Sequence, residues 1–310
     1  MSAADPADDL AGIVAALRGA RRRWREEHRR WDAGGRELPS RELLAVVVQQ
    51  LAGALFPMRL GPPDLQPEGE DYYVGHTLGA ALSRLRQQAA LELGHDARLR
   101  GVEAPPYNEA AERVTRFAAR LPAVRELLDS DVIAAFQGDP AARSVDEVLL
   151  CYPGLHALIS HRLAHELYRL SLPLIARVIS ELSHAQTGID IHPGAQIGAG
   201  CFIDHGTGVV IGETAVLGQR VRIYQNVTLG AKSIPTDEAG HAHKGQPRHP
   251  LVEDDVVIYA GATVLGRITI GAGSVIGGNV WLTRSVPPGS RISQAASQAD
   301  PNSAFQALSA

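Results

Sequence analysis

Three short segments of this chain combine residue types that can move a proton and bind a charged small molecule. They are Gly188–Pro193, Phe202–Gly208 and Arg248–Pro250, and together they supply imidazoles, carboxylates and a guanidinium. A histidine titrates near neutral pH and is the natural general base there. A carboxylate bonded to its second ring nitrogen would fix the tautomer and stabilise the imidazolium. These segments therefore suit base-assisted chemistry.

The element that must position them is a repeat, in which an aliphatic residue returns every sixth position from Ile191 to Leu282 with glycine or small residues between. This period indicates a parallel β-helix, whose short strands stack on the previous turn and point the aliphatic residue inward. Small residues fit the narrow interior at Ala195, Cys201, Ala215, Ala262 and Ser274. Two extra residues follow Asp204–Thr207, and a polar excursion runs over about 231–250. Solenoids commonly place their sites at such interruptions.

His205 lies in the first interruption, where the repeat has no structural use for it, and it is the predicted general base. Asp190 precedes it by less than one coil and is the predicted orienting carboxylate, because coils about 4.8 Å apart bring such residues to one face. Cys201 takes an inward position of the repeat, so we expect it to be buried and not to act as a covalent nucleophile.

The first part of the chain, residues 1–185, predicts a helical domain. A basic helix covers about 8–34, Ser40 caps the next helix, and Pro57 ends that one. Further helices are predicted over about 71–93 and 107–120, with new starts at Pro122 and at Ser130–Asp131. Two last helices, about 153–170 and 173–185, lead into a β-helix over 186–290, and a polar tail over 291–310 is expected to be flexible.

Composition narrows the class of protein. The chain has 310 residues, a net charge of −4 and two cysteines, which favours neither nucleic-acid binding nor a disulfide framework and suggests a reducing cytoplasm. No apolar run is long enough for a membrane span, so a cytoplasmic protein without a membrane partner is expected. His161, His165 and Glu166 have a spacing that a metal could use, and so do His241 and His243, but packing or solvation is the preferred interpretation and no metal is predicted.

The motifs resemble those of bacterial serine O-acetyltransferases. The resemblance is carried by Phe202–Ala215, by Asp190–Ala195 before it, and by Asn226–Gly230 and Arg248–Pro250 after it, and it covers most of residues 138–290. It implies a left-handed β-helix that forms a homotrimer or a dimer of trimers, with active sites between neighbouring β-helices. It also implies acetyl transfer from acetyl-CoA to the hydroxyl of L-serine, as the first step of cysteine biosynthesis.

The resemblance also implies roles for single residues. His205 and Asp190 match the family's base and orienting carboxylate, while Asp139 and Asp204 match the carboxylates that hold the serine ammonium. Arg248 matches the group that binds the serine carboxylate, a role that a planar guanidinium suits. His249 matches a second histidine near the substrate hydroxyl. The predicted acetyl-CoA residues, which present backbone along the coils, are Thr228, Gly230, Ala231, Ala260 and Gly261. Glu213 has no predicted chemical role and is interpreted as structural.

Two segments depart from the family pattern. The stretch from Ala231 to Pro247 is longer than usual, and its Lys232 and Lys244 could contact the phosphates of coenzyme A. The chain ends Leu308-Ser309-Ala310 instead of in isoleucine, so a complex with O-acetylserine sulfhydrylase and the family's cysteine inhibition do not follow from the resemblance.

Three alternatives remain at this point. One is an acyltransferase acting on homoserine, a sugar or another amino acid; another is a non-catalytic scaffold for cysteine-synthesis proteins. The third is a metal-bearing β-helix like a γ-class carbonic anhydrase, whose zinc pattern the histidines lack.

Overall fold

The computed structural model describes residues 10–27, 38–103, 107–233 and 245–294. The chain divides into two compact units, Met1–Glu37 and Leu38–Ala310. In the first unit the described residues form one helix, α1 (Leu10–Glu27). The rest of the predicted basic helix lies outside the described residues, as do the tail beyond Gln294 and the loop residues Lys244, His241 and His243.

The second unit begins with helices and ends with strands. Its helices are α2 (Arg41–Leu55), α3 (Pro57–Leu60), α4 (Glu70–Arg100), α5 (Tyr107–Gly138), α6 (Val145–Cys151), α7 (Pro153–Arg169) and α8 (Pro173–Thr187), with a short 3₁₀ turn at Pro67–Gly69. Ser40 caps α2 as predicted, since its hydroxyl accepts from the Leu43 amide at 3.3 Å. No helix in the described residues has the length and apolarity that crossing a bilayer requires.

The predicted helix starts at Pro122 and Ser130–Asp131 are wrong, because α5 runs through both positions as one helix. An apolar stripe at helical spacing is buried along its length: Val114, Phe117, Leu121, Val124, Leu128, Val132 and Ala135. Burial of this stripe outweighs the loss of one backbone hydrogen bond at the proline. Asp131 is no cap but a fully buried side chain that pairs with Arg162.

The strands form a left-handed parallel β-helix with three sheets, as the repeat and the resemblance predicted. Sheet A contains β1 (Asp190–Ile191), β4 (Val210–Ile211), β7 (Thr228–Gly230), β10 (Thr263–Leu265) and β13 (Trp281–Leu282). Sheet B contains β2 (Gln196–Ile197), β5 (Val216–Leu217), β8 (Leu251–Val252) and β11 (Thr269–Ile270). Sheet C contains β3 (Phe202–Ile203), β6 (Arg222–Ile223), β9 (Val257–Ile258), β12 (Val275–Ile276) and β14 (Arg291–Ile292).

Strand register locates both interruptions. Paired residues are 18 positions apart at Ile211 and Leu229, 20 apart at Ile191 and Ile211, and 35 apart at Leu229 and Val264. The two extra residues therefore enter where sheet C passes to sheet A, and the long excursion enters where sheet A passes to sheet B. The small inward residues, including Cys201, are fully buried as predicted. We call these two edges of the prism the CA corner and the AB corner.

The helices cover the open end of the first coil, whose outer backbone groups have no strand to pair with. Arg162 of α7 donates to the carbonyls of Ile197 (3.2 Å) and Gly198 (2.9 Å), and Asp131 accepts from the Cys201 amide at 2.9 Å. From α8, Ser180 donates to the Ile191 carbonyl at 2.8 Å. The helices thus hold the first coil, and with it the residues around His205, against a fixed base.

Candidate active site

His205 projects from the CA corner into solvent. Its side chain is 67% exposed, and its backbone adopts the left-handed region with φ 59°. Non-glycine residues seldom adopt this conformation, and they recur at functional sites. The turn is crowded behind it, because a Cβ on Gly206 (φ 81°) would lie 2.4 Å from the Ile189 side chain. The imidazole therefore points outward, and the crowded side chains behind the turn leave its backbone no room to move inward.

Two predicted carboxylates lie beside His205. The His205 Nδ1 is 3.5 Å from Asp204 Oδ1, and Asp204 itself is largely buried. Asp139 follows the end of α5, where it accepts hydrogen bonds from the Tyr152 hydroxyl at 2.5 Å and the Ala141 amide at 2.8 Å. The bond from Tyr152 is the main cause of the lowered pKa of Asp139, to which the nearby His205 charge also contributes. An anionic pair next to an exposed imidazole could hold a cationic group.

Sequence reasoning missed Arg222 at this corner. Its guanidinium lies 3.6 Å from Asp204 Oδ2 and donates to the Gly138 carbonyl at 2.5 Å. The spacing that could have revealed it is the 20-residue register step that places Arg222 directly above Phe202.

Arg248 occupies the AB corner, where the long excursion returns to the β-helix. Its Nη2 donates to Glu213 Oε2 at 2.7 Å, and Glu213 also accepts from the Tyr168 hydroxyl of α7 at 3.0 Å. Burial opposes ionisation of Glu213, but the bonds from Arg248 and Tyr168 outweigh it, so the pKa of Glu213 lies below its ordinary value. Glu213 is therefore the anionic partner of Arg248, the residue that is predicted to bind the serine carboxylate.

His249 is buried at the same corner and is held by Thr214. Its Nδ1 accepts from the Thr214 amide at 3.0 Å, so the ring proton of the neutral form is on Nε2. The Thr214 hydroxyl accepts from the amides of Arg248 (2.9 Å) and His249 (3.1 Å). Burial, with the charge of Arg248 second, lowers the pKa of His249 to about 4. This imidazole is thus a neutral hydrogen-bond donor at physiological pH.

Asp190 does not meet His205 within one chain. Among the described residues, the ion pair of His205 is with Asp204, whereas Asp190 pairs with Val210 in sheet A and acts electrostatically on His192. The predicted pairing of Asp190 with His205 therefore stays a prediction.

The predicted acetyl-CoA residues divide between the two corners. Ala260 and Gly261 (φ 73°) lie at the CA corner, two coils beyond His205. Thr228 and Gly230 belong to β7, which runs to the AB corner, and Ala231 follows it there. Several of their backbone groups already pair in the β-helix: the Gly230 carbonyl accepts from Gly266 at 3.0 Å, and the Ala260 carbonyl from Asn279 at 2.9 Å.

The two corners are separated by the width of sheet A. Between Gly208 and Gly212 the chain advances roughly 13 Å, at about 3.3 Å per residue. The ammonium and carboxylate of an amino acid are attached to one carbon, which is far closer. The separation therefore favours a site in which Asp139, Asp204 and His205 do not share one amino acid with Arg248 and His249 of the same chain.

The described residues give little support to covalent catalysis by a cysteine or to a metal site. Cys201 is fully buried and burial raises its pKa to about 12, so it is a poor nucleophile. In the described part of the chain, no three His, Cys, Asp or Glu side chains gather as a metal site would need. His165 Nδ1 instead donates to the Pro193 carbonyl at 2.8 Å, and His161 is buried against it with a pKa far below its usual value because of burial.

Comparison with known proteins identifies the family. Residues 249–284 match the family described as bacterial transferase hexapeptide (six repeats). A plasmid-borne serine acetyltransferase from Synechococcus elongatus is 59% identical over 267 residues, which cover 85% of this chain and 84% of that protein. The chain belongs to the serine acetyltransferase family. A serine acetyltransferase from Mycobacterium tuberculosis is 52% identical over 158 residues, 51% of this chain and 65% of that protein.

Solved serine acetyltransferases share the fold as well. Serine acetyltransferase 1 of Entamoeba histolytica, in complex with L-cysteine, superposes with a TM-score of 0.69 at 36% identity, covering 80% of this chain and 86% of that one. The enzyme from Neisseria gonorrhoeae in complex with serine gives 0.52 at 27% identity, covering 81% and 94%. The predictions of a hexapeptide β-helix and of a serine O-acetyltransferase, an acyltransferase of cysteine biosynthesis, are confirmed. Membership in an acetyltransferase family also implies acetyl-CoA as co-substrate.

Proposed function

We propose that this serine acetyltransferase transfers the acetyl group of acetyl-CoA to L-serine directly, with His205 as general base. The observation that carries the proposal is the exposed His205 imidazole beside Asp204 and close to the ionised Asp139. Two carboxylates suit the ammonium of an α-amino acid, and the guanidinium of Arg248 suits its carboxylate. Solved relatives are in complex with serine or with L-cysteine, both of which are α-amino acids.

The proposed reaction passes through one tetrahedral intermediate. The His205 imidazole removes the hydroxyl proton of serine while the oxygen attacks the thioester carbon, giving a tetrahedral oxyanion. The intermediate collapses as the carbon–sulfur bond breaks, and the imidazolium returns the proton to the coenzyme A thiolate. In this proposal His249, neutral with its proton on Nε2, would donate a hydrogen bond to oxygen without supplying a charge.

The complete site is proposed to form between two copies of the chain. Asp139, Asp204 and His205 lie at the CA corner, while Arg248 and His249 lie across sheet A at the AB corner. A neighbouring copy that brings its AB corner to this CA corner would complete the set. The predicted acetyl-CoA residues divide in the same way, so acetyl-CoA would contact both copies, with Lys232 available for its phosphates. A closed trimer satisfies this head-to-tail contact at every site.

The first test is release of coenzyme A thiol from acetyl-CoA with L-serine, L-homoserine, glucosamine or no acceptor. We expect release with L-serine, and a fall of at least about a hundredfold in His205→Ala. The matched control is His184→Ala, which removes another exposed histidine from the end of α8. Preference for homoserine or the sugar would reject serine as acceptor, and native-like release by the His205 variant would reject the general base.

The second test addresses the shared site by mixing two variants, His205→Ala and Arg248→Ala, each impaired alone. If one site takes His205 from one copy and Arg248 from the next, each trimer that contains both variants has one native site in three, so about a third of native activity returns. If both residues come from one chain, no mixture restores activity. Co-expression with two affinity tags isolates the mixed oligomers for the assay.

A further inference from the structure

Arg222 connects the helices to the β-helix at the CA corner. It belongs to β6, directly above Phe202 of β3, and its guanidinium donates to the Gly138 carbonyl at the end of α5. The same nitrogen lies 3.6 Å from the Asp204 carboxylate. Because Asp139 follows Gly138 immediately, one guanidinium contacts Asp204 and the residue preceding Asp139.

The side chain of Arg222 is itself restrained by its neighbours. Its guanidinium carbon lies 4.9 Å from the centre of the Phe202 ring and 5.1 Å from that of Tyr224, and its side chain is 27% exposed. A planar cation between two aromatic faces is restricted in orientation and gains cation–π stabilisation. The approach of α5 is close here, since a Cβ on Gly138 would lie 2.8 Å from the Phe202 ring.

The contact with Gly138 has a physical reason. The last carbonyls of a helix lack intrahelical partners and carry partial negative charge, so a cation that donates to one of them is favourable. Arg222 thereby fixes the exit of α5, from which Asp139 projects. The positive charge beside Asp139 also contributes to the lowered pKa of that carboxyl, after the bonds from Tyr152 and Ala141.

We propose that Arg222 is a positioning residue for the acceptor amino acid: its guanidinium sets the spacing between Asp204 and Asp139, the two carboxylates that receive the substrate ammonium. This inference rests on the proposed function. It goes further because it assigns Arg222 a role through geometry alone. Arg222 has the same charge as the substrate ammonium, so its direct electrostatic effect on the ammonium is repulsive.

Positioning and charge repulsion predict opposite changes in serine affinity when Arg222 is replaced. Arg222→Lys keeps the repelling charge but loses the planar fork and the stacking, so the positioning role predicts weaker serine binding. Arg222→Met loses the same contacts and also the repulsion, so its loss is smaller. If Arg222 acted only as a charge, the lysine variant would bind serine normally and the methionine variant would bind it more tightly.

The matched control is Arg220→Lys. Arg220 lies two residues away, and its guanidinium pairs with the exposed Asp255 at 2.6 Å and 2.8 Å, away from both carboxylates. Serine affinity is measured by calorimetry on the full-length protein, and the KM values for serine and acetyl-CoA by thiol release.

We expect Arg222→Lys to raise the serine Kd and KM about tenfold, with the acetyl-CoA KM within about twofold of native and Arg220→Lys unchanged. The effect should shrink in an Asp204→Asn background, because coupled residues are not additive. Native serine affinity in Arg222→Lys, or an equal loss for both substrates, would overturn the positioning role. Absence of serine turnover in the native protein would instead reject the proposed function itself.

Discussion

Replacing Gly212 with alanine perturbs the second histidine without removing any polar group. A Cβ at Gly212 would lie 2.0 Å from Cδ2 and 2.1 Å from Nε2 of His249. Ordinary contacts begin near 3.4 Å, so the ring must move by about 1.4 Å. Gly212 lies outside the left-handed φ region, so the backbone itself tolerates alanine.

Such a shift also breaks the bond from the Thr214 amide to His249 Nδ1, now 3.0 Å long. A misplacement of about 1 Å at a reacting centre can cost about a hundredfold in rate, so we expect a fall of that order in kcat/KM for serine. The assay is thiol release at varied serine, with a thermal melt to show that the fold persists. Gly79→Ala, where an added Cβ meets no atom within 4 Å, is the control and should keep native activity.

The decisive comparison uses the His249→Ala background. If Gly212→Ala acts through the ring, it should have little further effect once the ring is absent. A full additional loss in that background, or native kcat/KM in the single variant, would refute the proposed role of His249.

Three further predictions concern buried and ion-paired groups. Asp131→Asn leaves a buried guanidinium without its anion and should cost about 3–5 kcal/mol of stability, whereas Asp255→Asn at an exposed pair should leave stability nearly unchanged, as melts or denaturant titrations would show. The pKa of His249 is about 4 because the ring is buried, and the unfolded chain protonates near 6.5; stability should therefore fall as pH drops between these values, and the decline in Tm should be shallower in His249→Asn. Tyr152→Phe removes the main cause of the lowered pKa of Asp139 and should weaken serine binding several-fold, most at acidic pH, and a native pH profile would contradict this.

The repeat made the β-helix predictable because its six-residue period determines which side chains point inward. The continuity of α5 was not predictable from Pro122, since only the buried stripe that packs on other helices outweighs the local preference. The pairing of Arg248 with Glu213 could have been predicted from the sequence. Leu217 and Val252 are 35 positions apart in register, and the same step connects Glu213 with Arg248. The 20-residue step places Arg222 above Phe202, but its contact with the end of α5 required the three-dimensional structure.

The corners of this prism are where chemistry can change without disturbing the core. Strands of two or three residues leave inward positions that must be aliphatic, because the interior excludes water and polar partners. An insertion at a corner changes the side chains on the outer surface. The inward-facing register resumes in the next strand, as the steps of 20 and 35 residues show. His205 lies within the first insertion, and Arg248 and His249 end the second. The two corners lie on opposite edges of sheet A, so a chain that evolves its site by corner insertions needs a neighbour to bring the halves together, which makes assembly a condition of the proposed activity.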